Sequence, residues 1–125
     1  MLILQSHIYR ADLRANPSIL YVFGDNVERW GRGGQAAQCR DEPNAVGVAT
    51  LWSPGRFFSD DRATEQNAII DKDMAPLFKA VSAGIVVFPL AGIGTGLADL
   101  ERQSPATWRH LQFLVAELKS YMGNE

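Results

Sequence analysis

The chain has 125 residues, 46% hydrophobic and 21% charged, a balance typical of one soluble globular domain. Its net charge of −2 excludes a general electrostatic attraction to nucleic acid or to an anionic membrane. One cysteine, Cys39, excludes an internal disulfide framework and fits a reducing compartment. We therefore expect a single cytoplasmic domain over residues 1–125 that contacts no membrane, with a buried Cys39 and with no metal or other cofactor.

Three apolar runs predict inner strands of a sheet. Residues 18–24 (SILYVFG) end in Gly-Asp-Asn, residues 44–50 (NAVGVAT) are interrupted by a glycine, and residues 84–90 (GIVVFPL) are apolar throughout. A run that is apolar on both faces is typical of a strand covered by helices on both sides. The segment LILQS near the N terminus predicts an edge strand.

Helical patterns lie between and after these strands. Residues 64–82 and 105–122 each carry apolar side chains at spacings of three and four. The second begins at Ser104-Pro105, a hydroxyl N-cap followed by proline at the first helical position. Residues 34–40 predict a short helix. Strands alternating with helices predict an α/β fold, a three-layer α/β/α arrangement with a mixed or mostly parallel sheet.

An unusual loop follows each inner strand: residues 24–34 (GDNVERWGRGG), 50–61 (TLWSPGRFFSDD) and 91–100 (AGIGTGLADL). Ligands of open α/β sheets bind beyond the carboxyl ends of the strands, so we expect the three loops to share one rim. Glycines let main-chain N–H groups approach an anion. The alternative is that they serve tight turns and crossovers. The G-x-G-x-G spacing of the third loop is neither a dinucleotide-binding fingerprint nor a P-loop.

Two of these loops also carry polar and aromatic candidates. Asp25 and Asn26 form a carboxylate-amide pair suited to hydrogen bonding a base, a ribose or an amide, or else to capping and turning the loop. Trp52 and Phe57 flank Arg56, and exposed aromatics beside an arginine stack on nucleobases or form lids. The alternative is that Trp52 and one phenylalanine belong to the core.

Taken together, YVFGDN…GRGGQAA, VGVATLWSPGRFFSDD and VFPLAGIGTGLADL resemble the macrodomain superfamily. Its members bind ADP-ribose and related nucleotides, and some hydrolyse ADP-ribosyl links. The resemblance implies that GRGGQA is the glycine-rich loop after the asparagine-bearing strand and that GIGTGL wraps the diphosphate. ATLWSPGRFFS is similar to the middle segment of the branch that includes DNA-ADP-ribose and glutamate-ADP-ribose hydrolases. Small phage and bacterial proteins share this pattern, and the chain is shorter than a usual macrodomain.

Two positions depart from that branch. Its nucleophilic lysine falls at Leu51, and the acidic residue expected after the last glycine falls at Ala98, with Asp99 one place later. The resemblance therefore implies ligand binding more strongly than catalysis. For an enzyme of this type, Asp25 and Asp99 are the candidate catalytic carboxylates.

The leading hypothesis is a shortened macrodomain-like protein that binds an ADP-ribose-type nucleotide, namely ADP-ribose, an NAD-derived metabolite or a cyclic ADP-ribose-like molecule. One alternative is an ADP-ribosyl hydrolase, which would contact nucleic acid only as a modified substrate. Another is a non-catalytic inhibitor module that docks through WSPGRFF. The residues expected to bind the ligand are Asn26, Gly31, Gly33, Gly34, Gln35, Thr50, Trp52, Phe57, Gly92, Ile93, Gly94, Thr95, Gly96 and Leu97.

Overall fold

Five strands form one sheet in the computed structural model, which describes residues 1–123. In chain order they are β1 (Leu2–Gln5), β2 (Leu20–Asn26), β3 (Ala45–Ser53), β4 (Arg56–Phe57) and β5 (Val86–Pro89). Across the sheet the order is β1-β5-β2-β3-β4. The first four run parallel, and β4 is antiparallel to β3 because a tight turn joins the two. The prediction of a mixed, mostly parallel sheet is confirmed.

Helices cover both faces of this sheet, which makes the α/β fold three-layered as predicted. They are α1 (Arg10–Ala15), α2 (Ala36–Cys39), α3 (Ala63–Ala83), α4 (Leu100–Gln103) and α5 (Pro105–Lys119), with a 3-10 turn at Asp60–Arg62. No helix within residues 1–123 combines the length and the apolar composition needed to cross a bilayer.

Side chains that alternate along the inner strands build two cores. Val22 packs towards α3 and α5, whereas Tyr21 and Phe23 on the same strand pack towards α1 and α2. The larger core, under α3 and α5, contains the fully buried Ile70, Leu77, Phe88, Leu111 and Leu118. Burying one such side chain stabilises the fold by about 1.5–3 kcal/mol. Cys39 is buried in the smaller core, as the sequence predicts.

The start of α5 lies where Ser104-Pro105 predicts it, but the capping group is different. The Ser104 hydroxyl donates to the Asp60 carboxylate at 2.9 Å, and the same carboxylate oxygen accepts the N–H of Ala106 at 3.0 Å. A carboxylate at this end also suits the helix dipole. Fully buried Gln66 donates to Ser104 and Thr107, which ties α3 to α5.

The short helix predicted over residues 34–40 is α2, and the predicted N-terminal edge strand is β1, whereas α1, α4 and β4 were not anticipated from the sequence. The six-residue α1 is held at its start by the Asp12 carboxylate, which accepts the main-chain N–H of Tyr9 at 2.9 Å. The hairpin between β3 and β4 turns at Pro54-Gly55, where Gly55 adopts a φ of +81°. This hairpin brings Phe57 back towards the carboxyl end of the sheet, beside the loop after β2.

Candidate functional site

A cavity of about 420 Å³ opens beyond the carboxyl ends of β2, β3 and β5. This volume lies within the range of small-molecule binding sites. All three loops singled out in the sequence contribute to its wall, so their expected convergence on one rim is observed. The lining residues are Gly24, Asp25, Asn26, Trp30, Gly31, Gly33, Gly34, Ala36, Arg40, Thr50, Leu51, Pro54, Gly55, Phe57, Gly92, Ile93, Gly94, Thr95, Gly96, Leu97 and Ala98.

The two glycine-rich segments, residues 31–34 and 92–97, meet at this cavity. A β-carbon added to Gly33 would lie 3.9 Å from the Leu97 side chain. None of the main-chain N–H groups of residues 30–35 donates to an acceptor within residues 1–123, and the same holds for residues 93–98. Polar main-chain groups without a protein partner require water or a ligand. Both segments of the cavity wall therefore carry N–H groups that are available to a ligand, which an anion-binding nest requires.

Gly94 shows why the second segment needs glycine. Its φ of +74° lies in the left-handed region, which strains any residue with a β-carbon. A β-carbon there would also lie 3.1 Å from the Leu100 side chain and 3.2 Å from Thr50. The main chain thus packs closely against both neighbours and keeps its N–H groups at the cavity wall.

Asp25 and Asn26 both line the cavity although they are consecutive in β2. Neighbouring residues of a regular strand point to opposite faces. Here the pairing register with β3 shifts between the two, since Asp25 pairs with Ala49 and Asn26 with Leu51. Such bulges re-aim side chains and recur next to functional sites.

The Asp25 carboxylate is occupied by an arginine that the sequence did not single out. Arg40 donates to both carboxylate oxygens, at 2.9 and 2.5 Å, and the Asn26 main-chain N–H donates at 2.8 Å. Both side chains are largely buried. This forked pair makes Asp25 an anchor for Arg40, which is a different role from the acid–base group expected.

Asp99 does not line the cavity, so the structure gives no support to its predicted catalytic role. The chain turns at Ala98, whose side chain lies at the cavity wall, and Asp99 starts α4 with a φ of +46°. Its carboxylate pairs with Arg102 at 2.7 Å. The Asp99 main-chain N–H donates to the Gly96 carbonyl at 3.0 Å, so the chain turns here and enters α4 at Asp99.

The aromatic residues divide as the alternative expectation had them: Trp52 and Phe58 pack in the core, so the predicted ligand contact of Trp52 is not supported, and Phe57 lines the cavity. Trp52 is absent from the cavity wall: its ring packs edge-on against buried Phe58 at 5.0 Å, and the Arg62 guanidinium lies 3.8 Å from its centroid. Phe57, 43% exposed, lines the cavity as predicted. Trp30 also lines it and is 54% exposed; its indole N–H donates to Glu28 at 3.1 Å. Phe57 is thus the exposed aromatic ring of WSPGRFF, the segment proposed for docking.

Gln35 and Asn26 show how side-chain amides organise the first loop. Gln35 does not line the cavity; it donates to the main-chain oxygen of Ile8 at 3.1 Å and so holds this loop against the β1–α1 connection. Asn26 donates to the main-chain oxygen of Trp30 at 2.7 Å. The side-chain oxygen of Asn26 is buried and has no partner within residues 1–123. An unsatisfied buried acceptor costs about 1–3 kcal/mol, so a donor on a ligand would satisfy it favourably.

Further residues of the cavity wall were not among the predicted ligand contacts, Leu51, Pro54, Trp30 and Arg40 among them. The resemblance had already placed Leu51 at the lysine position of the related hydrolases, and Pro54 belongs to the middle loop already singled out, so a signal existed for both. Trp30 stands directly before Gly31 in the first loop and is equally close to a recognised motif. Arg40 reaches Asp25 from the end of α2, and only the fold brings the two together.

Metal binding and thiol chemistry find no support in the described residues. Within residues 1–123, no three His, Cys, Asp or Glu side chains are close enough to hold a metal ion. Burial raises the pKa of the Cys39 thiol to about 11, while Arg10 lowers it and Glu42 raises it to lesser extents. A thiol of this kind stays protonated near neutral pH and is a poor nucleophile.

Fold and cavity together define an α/β protein with a ligand-sized cavity beyond the carboxyl ends of its parallel strands. The chain belongs to a family of unknown function, DUF7831, whose model matches residues 3–114. No curated protein and no solved structure matches it.

Proposed function

We propose that this cavity binds an ADP-ribose-type nucleotide, whether ADP-ribose, an NAD-derived metabolite or a cyclic ADP-ribose-like molecule. One observation carries the proposal: two glycine-rich segments at one cavity have main-chain N–H groups with no acceptor within residues 1–123. Rows of N–H groups suit phosphate oxygens because each donor points at the anion and little reorganisation is required. A pyrophosphate, with oxygens on two adjacent phosphates, matches donors from both segments at once.

Charge at the site agrees with recognition by amides. Arg40 lines the cavity, but its guanidinium is paired with Asp25, so little of its charge is available to a ligand. The chain as a whole carries a charge of −2. Binding of a diphosphate would therefore depend on N–H donors rather than on a cluster of lysines and arginines.

The rest of the cavity offers contacts for the other parts of a nucleotide. Trp30 and Phe57 supply exposed aromatic rings at the rim, which favour stacking with a planar base. Strongly exposed Leu97 extends this apolar rim on the opposite loop. The side-chain oxygen of Asn26, which has no donor among the residues that the structure describes, suits a ribose hydroxyl or a base amino group. Thr50 also lines the cavity.

The proposal is binding rather than hydrolysis. Asp25 is held by Arg40, Asp99 lies away from the cavity, and Leu51 lines the wall at the place where the resemblance puts a lysine in the related hydrolases. Incubation with ADP-ribosylated DNA and protein, followed by mass analysis, separates the two functions. Release of ADP-ribose by the wild-type protein would replace the binding function by a hydrolase, and release that survives both Asp25→Ala and Asp99→Ala would exclude these two carboxylates as its acids.

Calorimetry tests binding directly, with ADP-ribose, NAD and cyclic ADP-ribose each titrated into the protein. We expect saturable heat and one nucleotide per chain for at least one of them. Gly96→Val places a branched side chain where a β-carbon meets open space, so it should keep the fold and block the approach of a phosphate. Gly84→Val, outside the cavity, is the matched control. No heat from any of the three ligands would refute the proposal.

We also propose that the protein acts in the cytoplasm on a small-molecule nucleotide. Its one cysteine is buried and free, as thiols are in a reducing compartment. Fractionation of the native cells would test this, with recovery from an oxidising compartment as the contrary result.

A further inference from the structure

We propose that Asn26 and Arg40 are positioning residues that turn two consecutive carbonyl groups of the first glycine-rich loop inward, so that this loop presents N–H groups to a bound anion. The inference rests on the proposed function, because it states how the same cavity would recognise the pyrophosphate. Arg40 would act by orienting the main chain, and it would neither form an ion pair with the ligand nor act as an acid or a base.

The hydrogen bonds of the loop carry the argument. Asn26 donates to the main-chain oxygen of Trp30 at 2.7 Å, and Nε of Arg40 donates to that of Gly31 at 3.1 Å. Asn26 is 5% exposed, and the Arg40 side chain is 11% exposed. Both carbonyls therefore point towards buried donors.

Because each peptide group is planar, the direction of its carbonyl fixes the direction of its N–H. In a trans peptide, the carbonyl of one residue and the N–H of the next point in opposite directions. The N–H groups of Gly31 and Arg32 consequently point away from the buried donors. Neither N–H has an acceptor within the described part of the chain, residues 1–123.

Arg40 is itself held in a single geometry. Its two terminal nitrogens fork onto the two oxygens of Asp25, and its guanidinium carbon lies 5.4 Å from the centroid of the Phe23 ring. A planar guanidinium has enough donors to bind a carboxylate with one edge and a carbonyl with the third nitrogen. Lysine has one nitrogen and lacks this fork, so it cannot reproduce all three bonds in the same arrangement.

The orientation of these two peptide groups determines whether the loop attracts or repels an anion. Carbonyl oxygens turned towards a phosphate would repel it, whereas N–H groups attract it. The loop also needs Gly31, whose φ of +97° lies in the left-handed region, to bring both peptide groups into this orientation. These two side chains thus orient the main chain for the anion through hydrogen bonds within the protein, and the Asn26 side-chain oxygen stays available to another part of the ligand.

Arg40→Lys is the decisive variant because it keeps the positive charge and removes the fork. Arg10→Lys is the matched control: Arg10 also binds a carboxylate, that of Glu42, and a carbonyl, that of Ala37 at 3.1 Å, but lies away from the cavity wall. The affinity of each variant for ADP-ribose is measured by calorimetry. We expect at least a tenfold weaker affinity for Arg40→Lys and an unchanged affinity for Arg10→Lys. Wild-type affinity in folded Arg40→Lys would overturn the inference.

An NMR titration of the wild-type protein with ADP-ribose keeps the inference testable even where Arg40→Lys does not fold. We expect the amide protons of Gly31 and Arg32 to shift downfield on saturation, as N–H groups do when they bind phosphate oxygens. Saturable binding that leaves both resonances unmoved would overturn the inference and leave the proposed function standing. Absence of any binding to the wild-type protein would instead refute the proposed function, and the inference with it.

Discussion

The carboxylate of Asp25 occupies the space that a β-carbon would need at Gly47 on the neighbouring strand. A β-carbon built on Gly47 would lie 2.9 Å from that of Asp25 and would clash with the carboxylate. Gly47 lies in the middle of β3, where a glycine weakens a strand. Its place there is explained by the buried Asp25–Arg40 pair, which lies against the sheet where a side chain would otherwise stand.

Gly47→Ala should therefore destabilise the protein by about 1–3 kcal/mol, the usual cost of forcing extra volume into a packed region. Denaturant unfolding measures this change. Gly84→Ala is the control, since its β-carbon would meet nothing closer than a main-chain oxygen at 3.8 Å. Equal stability of the two variants would show that Asp25 does not need the space above Gly47.

Gly94 and Gly96 lie in one loop and should respond differently to alanine. Gly94→Ala combines a φ of +74° with contacts of 3.1 and 3.2 Å, so we expect a loss of about 1–3 kcal/mol in unfolding free energy. A β-carbon on Gly96 meets nothing within 4 Å, so Gly96→Ala should keep the wild-type stability. Thermal melts of both variants check this contrast. A Gly96→Ala variant as unstable as Gly94→Ala would contradict the loop geometry described.

Phe57 should contribute to nucleotide affinity through its exposed ring at the cavity rim. An aromatic stacking contact is worth about 0.5–1.5 kcal/mol, so Phe57→Ala should weaken ADP-ribose binding by up to about tenfold. Phe113→Ala removes a ring that is 62% exposed on α5, outside the cavity, and should leave the affinity unchanged. Calorimetry measures the ADP-ribose affinity of both variants. Equal affinities would show that Phe57 does not contact the ligand.

The buried thiol of Cys39 should make the stability of the protein decrease in alkaline solution. Burial raises the pKa of this thiol from its ordinary 9.0 to about 11, so the unfolded chain loses the thiol proton at a lower pH than the native chain does. The contribution of this thiol to the free energy of unfolding is therefore fully present below about pH 9 and is lost between about pH 9 and 11.

Ellman's reagent measures the same burial at pH 8. We expect a slow reaction in the native protein and a fast one in denaturant, because thiolate is the reacting form. The Cys39→Ala variant should lack the reaction and should lose less stability between pH 9 and 11. A fast native reaction would show that the thiol is accessible.

Much of the fold follows from local pattern. The runs at 18–24, 44–50 and 84–90 correspond to β2, β3 and β5 because inner strands buried on both faces must be apolar throughout. Residues 64–82 and 105–122 likewise gave α3 and α5, since a helix lying on a sheet needs an apolar stripe. Elements as short as α1 and β4 carry too few residues for a period to show.

The glycine-rich parts of the cavity wall could be predicted from the sequence. The parts formed by residues that are distant in sequence could not. Glycine density alone located residues 31–34 and 92–97. Arg40 lies fifteen residues from Asp25, so their pairing leaves no trace in local spacing. Phe57 pairs with Leu51, which also lines the cavity, whereas Trp52 is the next residue along β3 and packs against Phe58. This pairing depends on the β3–β4 hairpin, which the sequence did not predict.

A crystal structure with ADP-ribose measures the central relationship directly. Pyrophosphate oxygens should lie within hydrogen-bonding distance of main-chain N–H groups from both residues 31–34 and residues 93–97. A nucleotide bound at another surface, or one whose phosphates touch neither segment, would contradict this account.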